Sequence, residues 1–354
     1  MPKESEHCGN PGGGKDMNGR YFIFILVVPV LTVLLAGGCA GPVDEDATDY
    51  SEFESVWQYL KVYSIYQDRI PEDPFVYPSP RSLMYAIADT LYGNHYTDYF
   101  SYMSSITTTA GTFAFRTVSD DELVVFDSLT DSTARIGISS FAGEPFLLFK
   151  AFLPRLQRFP NLIVDLRMNG GGDIDQADSV VNAFLPVGTA YVQARQREYL
   201  PEKRTAHTRD WHPWHTTDVA RRELRGKKIV ILQDGGTASA SEIVIAALKD
   251  CAGATLVGER TYGKGIGQIR LVRRDRGILQ ITFLQLKGLD DGKIGDYHHK
   301  GIAADIAASG SDDDWLLTAV RINEPHVTSL PALRKRTART AAHTPAGYRV
   351  VYEE

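Results

Sequence analysis

Short apolar segments alternate with helical patterns from residue 134 onward, and this alternation constrains the fold more than any other feature of the sequence. Apolar and β-branched runs predict strands at 135–141, 161–167, 228–233, 254–258 and 277–284. Apolar residues at helical spacing predict intervening helices at 146–156, 175–184 and 240–249. Strands that are apolar at nearly every position are typical of a sheet covered on both faces, so the pattern predicts an α/β fold.

The remaining residues fall into regions with different patterns. Residues 50–103 contain two amphipathic helical stretches, and the second begins with a serine followed by proline, which favours a helix start. We therefore expect a small helical N-terminal domain there, a connecting segment at 104–133 and the α/β core at 134–325. Residues 326–354 show no periodicity and predict a flexible C-terminal tail.

Residues 1–39 predict a leader that is not part of the folded protein. An arginine, an apolar run at 21–35 and a cluster of small residues are typical of an export signal, whose translation start is Met1 or Met17. As a helix, the apolar run would be roughly 22 Å long, short of the roughly 30 Å of a bilayer core. The run therefore indicates a signal peptide rather than a permanent membrane anchor.

Cys39 follows small residues at the end of the apolar run, as the lipidated cysteine does in a bacterial lipoprotein signal. We expect lipidation of Cys39, a tether at 40–49 and a lipid-anchored protein that faces the periplasm, with an ordinary signal peptide as the alternative. Ala40 is not the aspartate that retains lipoproteins at the inner membrane, so the sequence favours the outer membrane.

The composition argues against several classes of protein. The 354 residues carry a net charge of −6, whereas a nucleic-acid-binding protein usually has a basic face. Of the three cysteines, Cys8 and Cys39 lie in the leader, which leaves Cys251 alone in the folded part and excludes a disulfide framework. We expect Cys251 to behave as a small buried apolar residue.

The segment 237–242 is a turn of small residues between a predicted buried strand and a predicted helix. A nucleophile in such a turn has little around it and lies at the positive end of the helix dipole. Ser239 is therefore a candidate nucleophile. The alternative interpretation is that the serine and threonine residues here only cap the helix.

Lys264 is flanked by Gly263 and Gly265, so other groups can approach it closely and exclude water. Desolvation favours the neutral form of an amine, and only a neutral amine can accept a proton from serine. Gln268, which enters the next strand, could hold that amine by a hydrogen bond. A solvated loop lysine is the alternative interpretation.

The segment 165–172 places three successive glycines, preceded by Asn169, between a strand and a helix. Glycine N–H groups in such a turn can bind an anion, and together with the amide of Ala240 they could form an oxyanion hole. A phosphate-binding or purely structural turn is the alternative. The GxGxxG spacing of a dinucleotide site is absent.

These three segments, in this order, resemble the tail-specific or carboxyl-terminal processing protease family, the S41 serine peptidases. The family shows a strand followed by Asn-Gly-Gly-Gly, then Gly-Ser/Thr-Ala-Ser-Ala-Ser-Glu-Ile, then Gly-Glu-x-Thr-Phe/Tyr-Gly-Lys-Gly. The corresponding stretches here are 169–172, 236–243 and 258–265. The resemblance covers residues 134 to 306, with a weaker likeness at 94–100.

The resemblance implies a serine endopeptidase that hydrolyses peptide bonds of exported or membrane-associated proteins through an acyl-enzyme. It also implies a crotonase-like core (the ClpP/crotonase type) of stacked strand–strand–helix units, with neither metal nor cofactor. Some members need a partner or oligomer to align the site, so an oligomer stays open. The implied roles are Ser239 as nucleophile, Lys264 as general base, Gln268 as the residue that orients Lys264, and Gly170, Gly171 and Ala240 as oxyanion donors.

Two features depart from the family: the segment before the first core strand, and 301–305, where the family usually has proline before the aspartate. Most members insert a PDZ domain before the first core strand, but the segment between residues 100 and 135 is too short for a module of roughly 80 residues or more. The segment 187–225 contains three histidines, His207, His212 and His215, and predicts a substrate-contacting or covering loop more than a metal site.

The main alternative function is a binding protein. Relatives with this core can lose peptidase activity and bind hydrophobic ligands or peptides. The presence of Ser239, Lys264 and Gln268 together favours the enzyme.

Overall fold

The computed structural model of the protein describes residues 50–88, 90–93, 96–99, 101–104, 123–200, 203–217, 224–273, 277–330 and 348–352. The predicted leader, Cys39 and the tether lie outside these residues, as does the part of the predicted connecting segment at 105–122. No helix within the described ranges is both long enough and apolar enough to cross a bilayer.

The protein has a mixed α/β architecture with two main sheets. Its helices are α1 (Tyr50–Tyr63), α2 (Pro80–Ile87), α3 (Pro145–Leu156), α4 (Ile174–Phe184), α5 (Ala240–Ala252) and α6 (Asp312–Asn323). Its strands are β1 (Thr90–Gly93), β2 (Tyr96–Tyr99), β3 (Tyr102–Ser104), β4 (Val124–Ser128), β5 (Thr133–Ile138), β6 (Asn161–Asp165), β7 (Ala190–Leu200), β8 (Thr205–His215), β9 (Lys228–Gln233), β10 (Thr255–Gly258), β11 (Ile266–Arg273), β12 (Gly277–Lys287), β13 (Ile306–Ala307) and β14 (Tyr348–Tyr352).

The first sheet has the strand order β13-β10-β9-β6-β5-β4. Its neighbouring strands are parallel except for the antiparallel pair β4 and β5. In β6, Leu162 and Val164 pack into the main core with residues of α3, α4 and α5, while Ile163 packs with α6 on the other face. The sheet is therefore covered on both faces, which is why its strands are apolar at almost every position.

Helix α5 begins directly after the predicted nucleophile and is buried over Ala240–Leu248. A helix that is apolar on all sides is stable only when it is enclosed. Residues of α5 share the main core with residues of β7 and β12 from the second sheet, so the helix lies between layers. Its first residue is consequently fixed inside the protein.

The second sheet has the order β14-β11-β12-β7-β8, and β3 also pairs with β12. Helices α1 and α2 pack on this sheet through a cluster that includes Leu60, Met84 and Leu279. The Arg197 guanidinium of β7 donates to the carbonyl oxygen of Lys61 at 2.8 Å, which satisfies a free carbonyl at the end of α1. The N-terminal helices are thus packed on the second sheet, whose strand β11 begins two residues after Lys264.

All five predicted core strands and the three helices between them are present, with ends that differ by a few residues. The predicted loop at 187–225 is wrong over most of its length, because β7 and β8 form an antiparallel hairpin there. In β7, Tyr191, Val192 and Ala194 are buried, while the other residues of the strand are partly exposed and mostly polar. One polar face concealed the strand pattern, and Pro213 is tolerated because β8 is an edge strand among the described residues.

Two further regions differ from the predictions. The predicted helical domain at 50–103 also contains β1, β2 and part of β3. The predicted flexible tail at 326–354 contains β14, which runs parallel to β11. Both regions are rich in tyrosine and β-branched residues, which favour strands, but their strands are only three to five residues long and too short to show a clear alternation.

Candidate active site

Ser239 lies in the turn between β9 and α5 and has an unusual backbone conformation. Its φ of 58° and ψ of −120° lie in a region that residues other than glycine rarely occupy. Such strain costs roughly 1–3 kcal/mol and is common at functional sites, where surrounding contacts impose it. The residue is only 4% exposed. It precedes the first turn of α5, where the helix dipole favours negative charge.

Asn169 ties the turn of Ser239 to the glycine run. Its carbonyl oxygen accepts hydrogen bonds from the Ala238 N–H at 3.0 Å and from the Ser241 hydroxyl at 2.9 Å. Its side-chain amide donates to the carbonyl oxygen of Ile138, at the end of β5, at 3.0 Å. One buried asparagine therefore connects the ends of three neighbouring strands, β5, β6 and β9.

Glu242, in the first turn of α5, connects the nucleophile to the lysine. Its Oε2 accepts the backbone N–H of Ser239 at 2.8 Å and the backbone N–H of Lys264 at 2.8 Å. The backbone nitrogens of Ser239 and Lys264 are therefore separated by no more than twice 2.8 Å. Its Oε1 accepts the N–H of Gly263 at 2.8 Å and the hydroxyl of Thr261 at 2.6 Å.

The Glu242 side chain is fully buried, and its protonation is set by opposing effects. Burial raises the pKa of the Glu242 carboxyl, and the hydrogen bonds from Thr261, Lys264, Ser239 and Gly263 lower it. The effect of burial prevails, so the pKa lies above its ordinary value. All four donors belong to neutral groups, so the carboxylate is solvated by oriented dipoles.

Lys264 is 2% exposed, and the two glycines beside it allow that burial. A Cβ at Gly263 would lie 2.5 Å from the backbone nitrogen of Gly301. A Cβ at Gly265 would lie 2.7 Å from the carbonyl oxygen of Leu286. Neighbouring backbone therefore passes so close to the lysine that no side chain fits on either side of it.

Gln268 lies on β11 and is 1% exposed. Its Nε2 lies 3.5 Å from the Thr282 hydroxyl, the outer limit of a hydrogen bond. Its Oε1 is buried and has no hydrogen-bond partner among the described residues. A buried amide oxygen without a hydrogen-bond donor is energetically unfavourable. The Oε1 of Gln268 is therefore available to accept a hydrogen bond from an ammonium group.

The two candidate glycines of the oxyanion hole differ in their surroundings. A Cβ at Gly171 would lie 2.7 Å from the Cβ of Ser239 and 3.0 Å from the nitrogen of Ala240, so Gly171 lies directly against the nucleophile turn. Its N–H donates to Oδ1 of Asn169 at 3.0 Å. The N–H of Gly170 has no such intramolecular acceptor among the described residues.

Sequence analysis did not single out Glu242 or the connecting role of Asn169. Glu242 stands three residues after Ser239, which is the spacing of a helix capping box, and that signal could have identified it. The Ser239 N–H to Glu242 bond is one half of such a box. No local pattern indicates that Asn169 contacts both β5 and the turn of Ser239, because those contacts join distant parts of the chain.

The three histidines of the predicted covering loop all lie on β8. His207 approaches Glu198 on β7, with Nε2 and Oε2 3.6 Å apart. Within the described ranges, no three His, Cys, Asp or Glu side chains converge as a metal-binding group. His207 is exposed, and His212 and His215 are partly exposed, so all three lie at the surface of the hairpin.

Cys251 is partly buried near the end of α5 and packs against the main core. Its thiol donates to the carbonyl oxygen of Ala190 at 3.2 Å. Burial, with Asp250 and Asp291 nearby, raises the pKa of the thiol to about 11. Because the thiolate is the reactive form, Cys251 is not a candidate nucleophile.

The sequence was compared with models of known protein families. The model of peptidase family S41 matches residues 132–308. This range contains β5 to β13, the turn of Ser239, the glycine run and the Lys264 segment.

Curated relatives match the same part of the chain. A probable CtpA-like serine protease of Staphylococcus epidermidis is 31% identical over 43% of this chain and 28% of its own length. A carboxy-terminal-processing protease of Bartonella bacilliformis is 38% identical over 34% of this chain and 25% of its own length. The match therefore spans about a quarter of each of these relatives.

Among solved structures, a lipoprotein from Streptococcus agalactiae is similar to this chain with a TM-score of 0.50. The superposition covers 82% of this chain and 98% of the lipoprotein, with 15% sequence identity. At that level of identity the likeness concerns the fold alone.

Proposed function

The chain belongs to peptidase family S41, and on this premise we propose that it is a serine endopeptidase with Ser239 as nucleophile and Lys264 as general base. One observation carries the proposal: a single oxygen of Glu242 accepts the backbone N–H of both residues at 2.8 Å. The strained backbone of Ser239 adds support, because a residue that only caps a helix has no need of it.

Acylation begins when Ser239 Oγ attacks the carbonyl carbon of the scissile peptide. As the new C–O bond forms, the hydroxyl proton passes to the neutral amine of Lys264. The carbonyl oxygen becomes an oxyanion that accepts hydrogen bonds from the N–H of Ala240 and from Gly170 or Gly171. Each such donor typically contributes about 2.7–4 kcal/mol to the transition state.

The tetrahedral intermediate collapses when the C–N bond breaks and the Lys264 ammonium gives its proton to the leaving amine. The acyl group stays on Ser239 as an ester. A water molecule then attacks the ester carbonyl, and Lys264 takes a proton from the water. When the ester C–O bond breaks, Lys264 gives that proton to Ser239 Oγ and the product carboxylic acid leaves. Gln268 orients Lys264 throughout, with its buried Oε1 as acceptor.

The proposal extends to the setting of the enzyme. The sequence pattern around Cys39 supports an exported protein with a lipidated cysteine, anchored at the envelope, whose substrates are exported or membrane-associated proteins or peptides. The parallel first sheet, covered on both faces, supports a crotonase-like core.

The proposal is tested by incubating the full chain with casein and following fragments by mass spectrometry. A fluorophosphonate probe, which forms a covalent bond with activated serines, is applied in parallel. We expect cleavage and labelling by the wild type, and loss of both in Ser239→Ala. Lys264→Ala should lose at least about a hundredfold in rate, since general base catalysis typically contributes that much.

Matched controls are Ser128→Ala and Lys300→Ala, which change exposed residues of the same types and should leave both readouts unchanged. A folded wild type that neither cleaves casein nor reacts with the probe would overturn the proposal. The binding of hydrophobic ligands would then become the better hypothesis.

A further inference from the structure

The loop that follows β12 is hydrogen-bonded to the Lys264 segment. The backbone N–H of His299 donates to the carbonyl oxygen of Gly263 at 2.9 Å. The backbone N–H of Gly265 donates to Nδ1 of His298 at 3.2 Å. The two residues beside Lys264 are therefore both bound to this loop.

Nδ1 of His298 lies near the N–H of Gly265 and the carbonyl oxygen of Gly263. The hydrogen bonds that these two groups require indicate the tautomer of the ring. Its Nδ1 also lies 3.3 Å from the carbonyl oxygen of Gly263. That oxygen already has a donor in the His299 N–H, whereas the Gly265 N–H needs an acceptor. The arrangement that satisfies both groups has Nδ1 unprotonated and the ring hydrogen on Nε2.

Three successive N–H groups are thus bound at fixed positions. Glu242 accepts those of Gly263 and Lys264, and His298 accepts that of Gly265. These anchors matter because glycine has the widest range of backbone conformations, so glycines on both sides of a residue leave its orientation poorly determined. Together, the three bonds set the direction in which the Lys264 side chain leaves the backbone.

We propose that His298 is a positioning residue for Lys264, which acts by accepting the N–H of Gly265 through Nδ1. The proposal rests on the proposed function, in which Lys264 is the general base. In this role His298 acts through the backbone beside Lys264, and it adds a third anchor to the two N–H groups that Glu242 binds.

The test compares His298→Leu with His298→Asn in the full chain. Leucine keeps an apolar body but offers no acceptor, whereas the Oδ1 of asparagine takes the place of Nδ1 relative to the backbone. We expect His298→Leu to lower kcat by about ten- to a hundredfold with KM within about twofold, because a small misplacement of a catalytic group acts on the chemical step. His298→Asn should recover most of the loss.

The matched control is His326→Leu, which makes the same change at an exposed histidine outside the Lys264 segment and the loop after β12. The control should keep kcat within about twofold of the wild type. Equal losses in His326→Leu and His298→Leu would overturn the proposal.

Amide hydrogen exchange over the peptide that contains Gly265 gives a second readout, independent of activity. Exchange at Gly265 should be faster in His298→Leu than in the wild type, and close to wild type in His298→Asn. Wild-type exchange or wild-type kcat in His298→Leu overturns the proposal. A failure of the proposed function appears differently, as a wild type that neither cleaves casein nor reacts with the probe.

Discussion

The side chains of Asp165 and Glu242 are both fully buried, but positively charged groups bind Asp165 and neutral groups bind Glu242. Asp165, at the end of β6, is bound by two guanidinium groups. Arg135 donates through Nε at 3.0 Å, and Arg167 donates through Nη2 at 2.9 Å. Glu242, in contrast, receives its four hydrogen bonds from neutral groups.

The charges around Asp165 form a chain that leads out to solvent. Arg135 also donates to Asp127 at 2.7 Å, and Arg167 also donates to Asp312 at 2.9 Å. The side chain of Asp312 is 77% exposed, whereas those of Arg135 and Arg167 are 3% and 8% exposed. Arg135 keeps a second buried partner in Asp127, whose side chain is 9% exposed, whereas Arg167 depends on Asp165 as its buried partner.

Because of this difference, we expect substitutions of the two carboxylates to affect different properties, the stability of the fold at Asp165 and the rate of catalysis at Glu242. Removal of the charge of Asp165 leaves Arg167 without its buried partner and Arg135 with Asp127 alone, which we expect to weaken the fold. Removal of the charge of Glu242 leaves no buried cation among its four donors, but it frees the backbone of Ser239 and Lys264. We therefore expect Asp165 to affect the free energy of unfolding most and Glu242 to affect kcat most.

The largest expected effect is that of Asp165→Asn on stability. Breaking a buried ion pair from one side typically costs about 3–5 kcal/mol, so we expect a loss of that size in the free energy of unfolding measured with urea. Asp312→Asn is the matched control, because its exposed carboxylate contacts the same Arg167. The control should cost less than about 1 kcal/mol. Equal losses in the two variants would remove the distinction between buried and exposed partners.

The second effect is that of Glu242→Gln on catalysis. The amide has almost the same shape, but its NH2 group would face two of the four donors that the carboxylate now binds. We expect kcat for casein cleavage to fall about a hundredfold, as misplacement of reacting groups can cause. The loss of stability should be smaller than in Asp165→Asn, about 1–3 kcal/mol. If Glu242→Gln has a normal kcat and a large loss of stability, Glu242 stabilises the fold as Asp165 does and has no separate effect on catalysis.

Four of the six strands of the first sheet, β5, β6, β9 and β10, were predicted from the sequence because they follow local patterns, and local motifs also led to the three proposed site segments. The core strands are apolar on both faces, and the Ser239 and Lys264 segments carry short motifs with characteristic spacing. The hairpin of β7 and β8 was missed because one of its faces is polar and its fold depends on pairing with β12. Such contacts between distant residues leave no periodic signal in a single sequence.

The same limit explains what was missed in the site. Glu242 could have been predicted as a cap of α5 from its spacing to Ser239, but its bond to Lys264 joins two separate segments. The partnership of Asp165 with Arg135 is likewise invisible, because the two residues lie on adjacent strands that meet only after folding. Sequence patterns therefore lead to candidate reacting residues more readily than to the buried groups that contact them.

The smallest expected effect concerns the pH dependence of stability, and it contrasts the two carboxylates directly. Burial raises the pKa of Glu242 above its ordinary value of 4.5, so the folded protein holds this proton at pH values where the unfolded chain has released it. Stability that depends on Glu242 is therefore present below 4.5 and is lost as the pH rises toward the higher pKa of the folded state. The slope cannot exceed about 1.4 kcal/mol per pH unit for one group.

Glu242→Gln isolates this contribution because glutamine does not titrate and the other ionisable groups are common to both proteins. We expect the free energy of unfolding of the wild type, measured relative to Glu242→Gln over roughly pH 4 to 8, to decline as the pH rises. A constant difference would mean that the four neutral donors stabilise the ionised carboxylate as well as water does. A rising difference would mean that they stabilise it better than water, as the arginines are expected to do for Asp165, and charge would no longer distinguish the two sites.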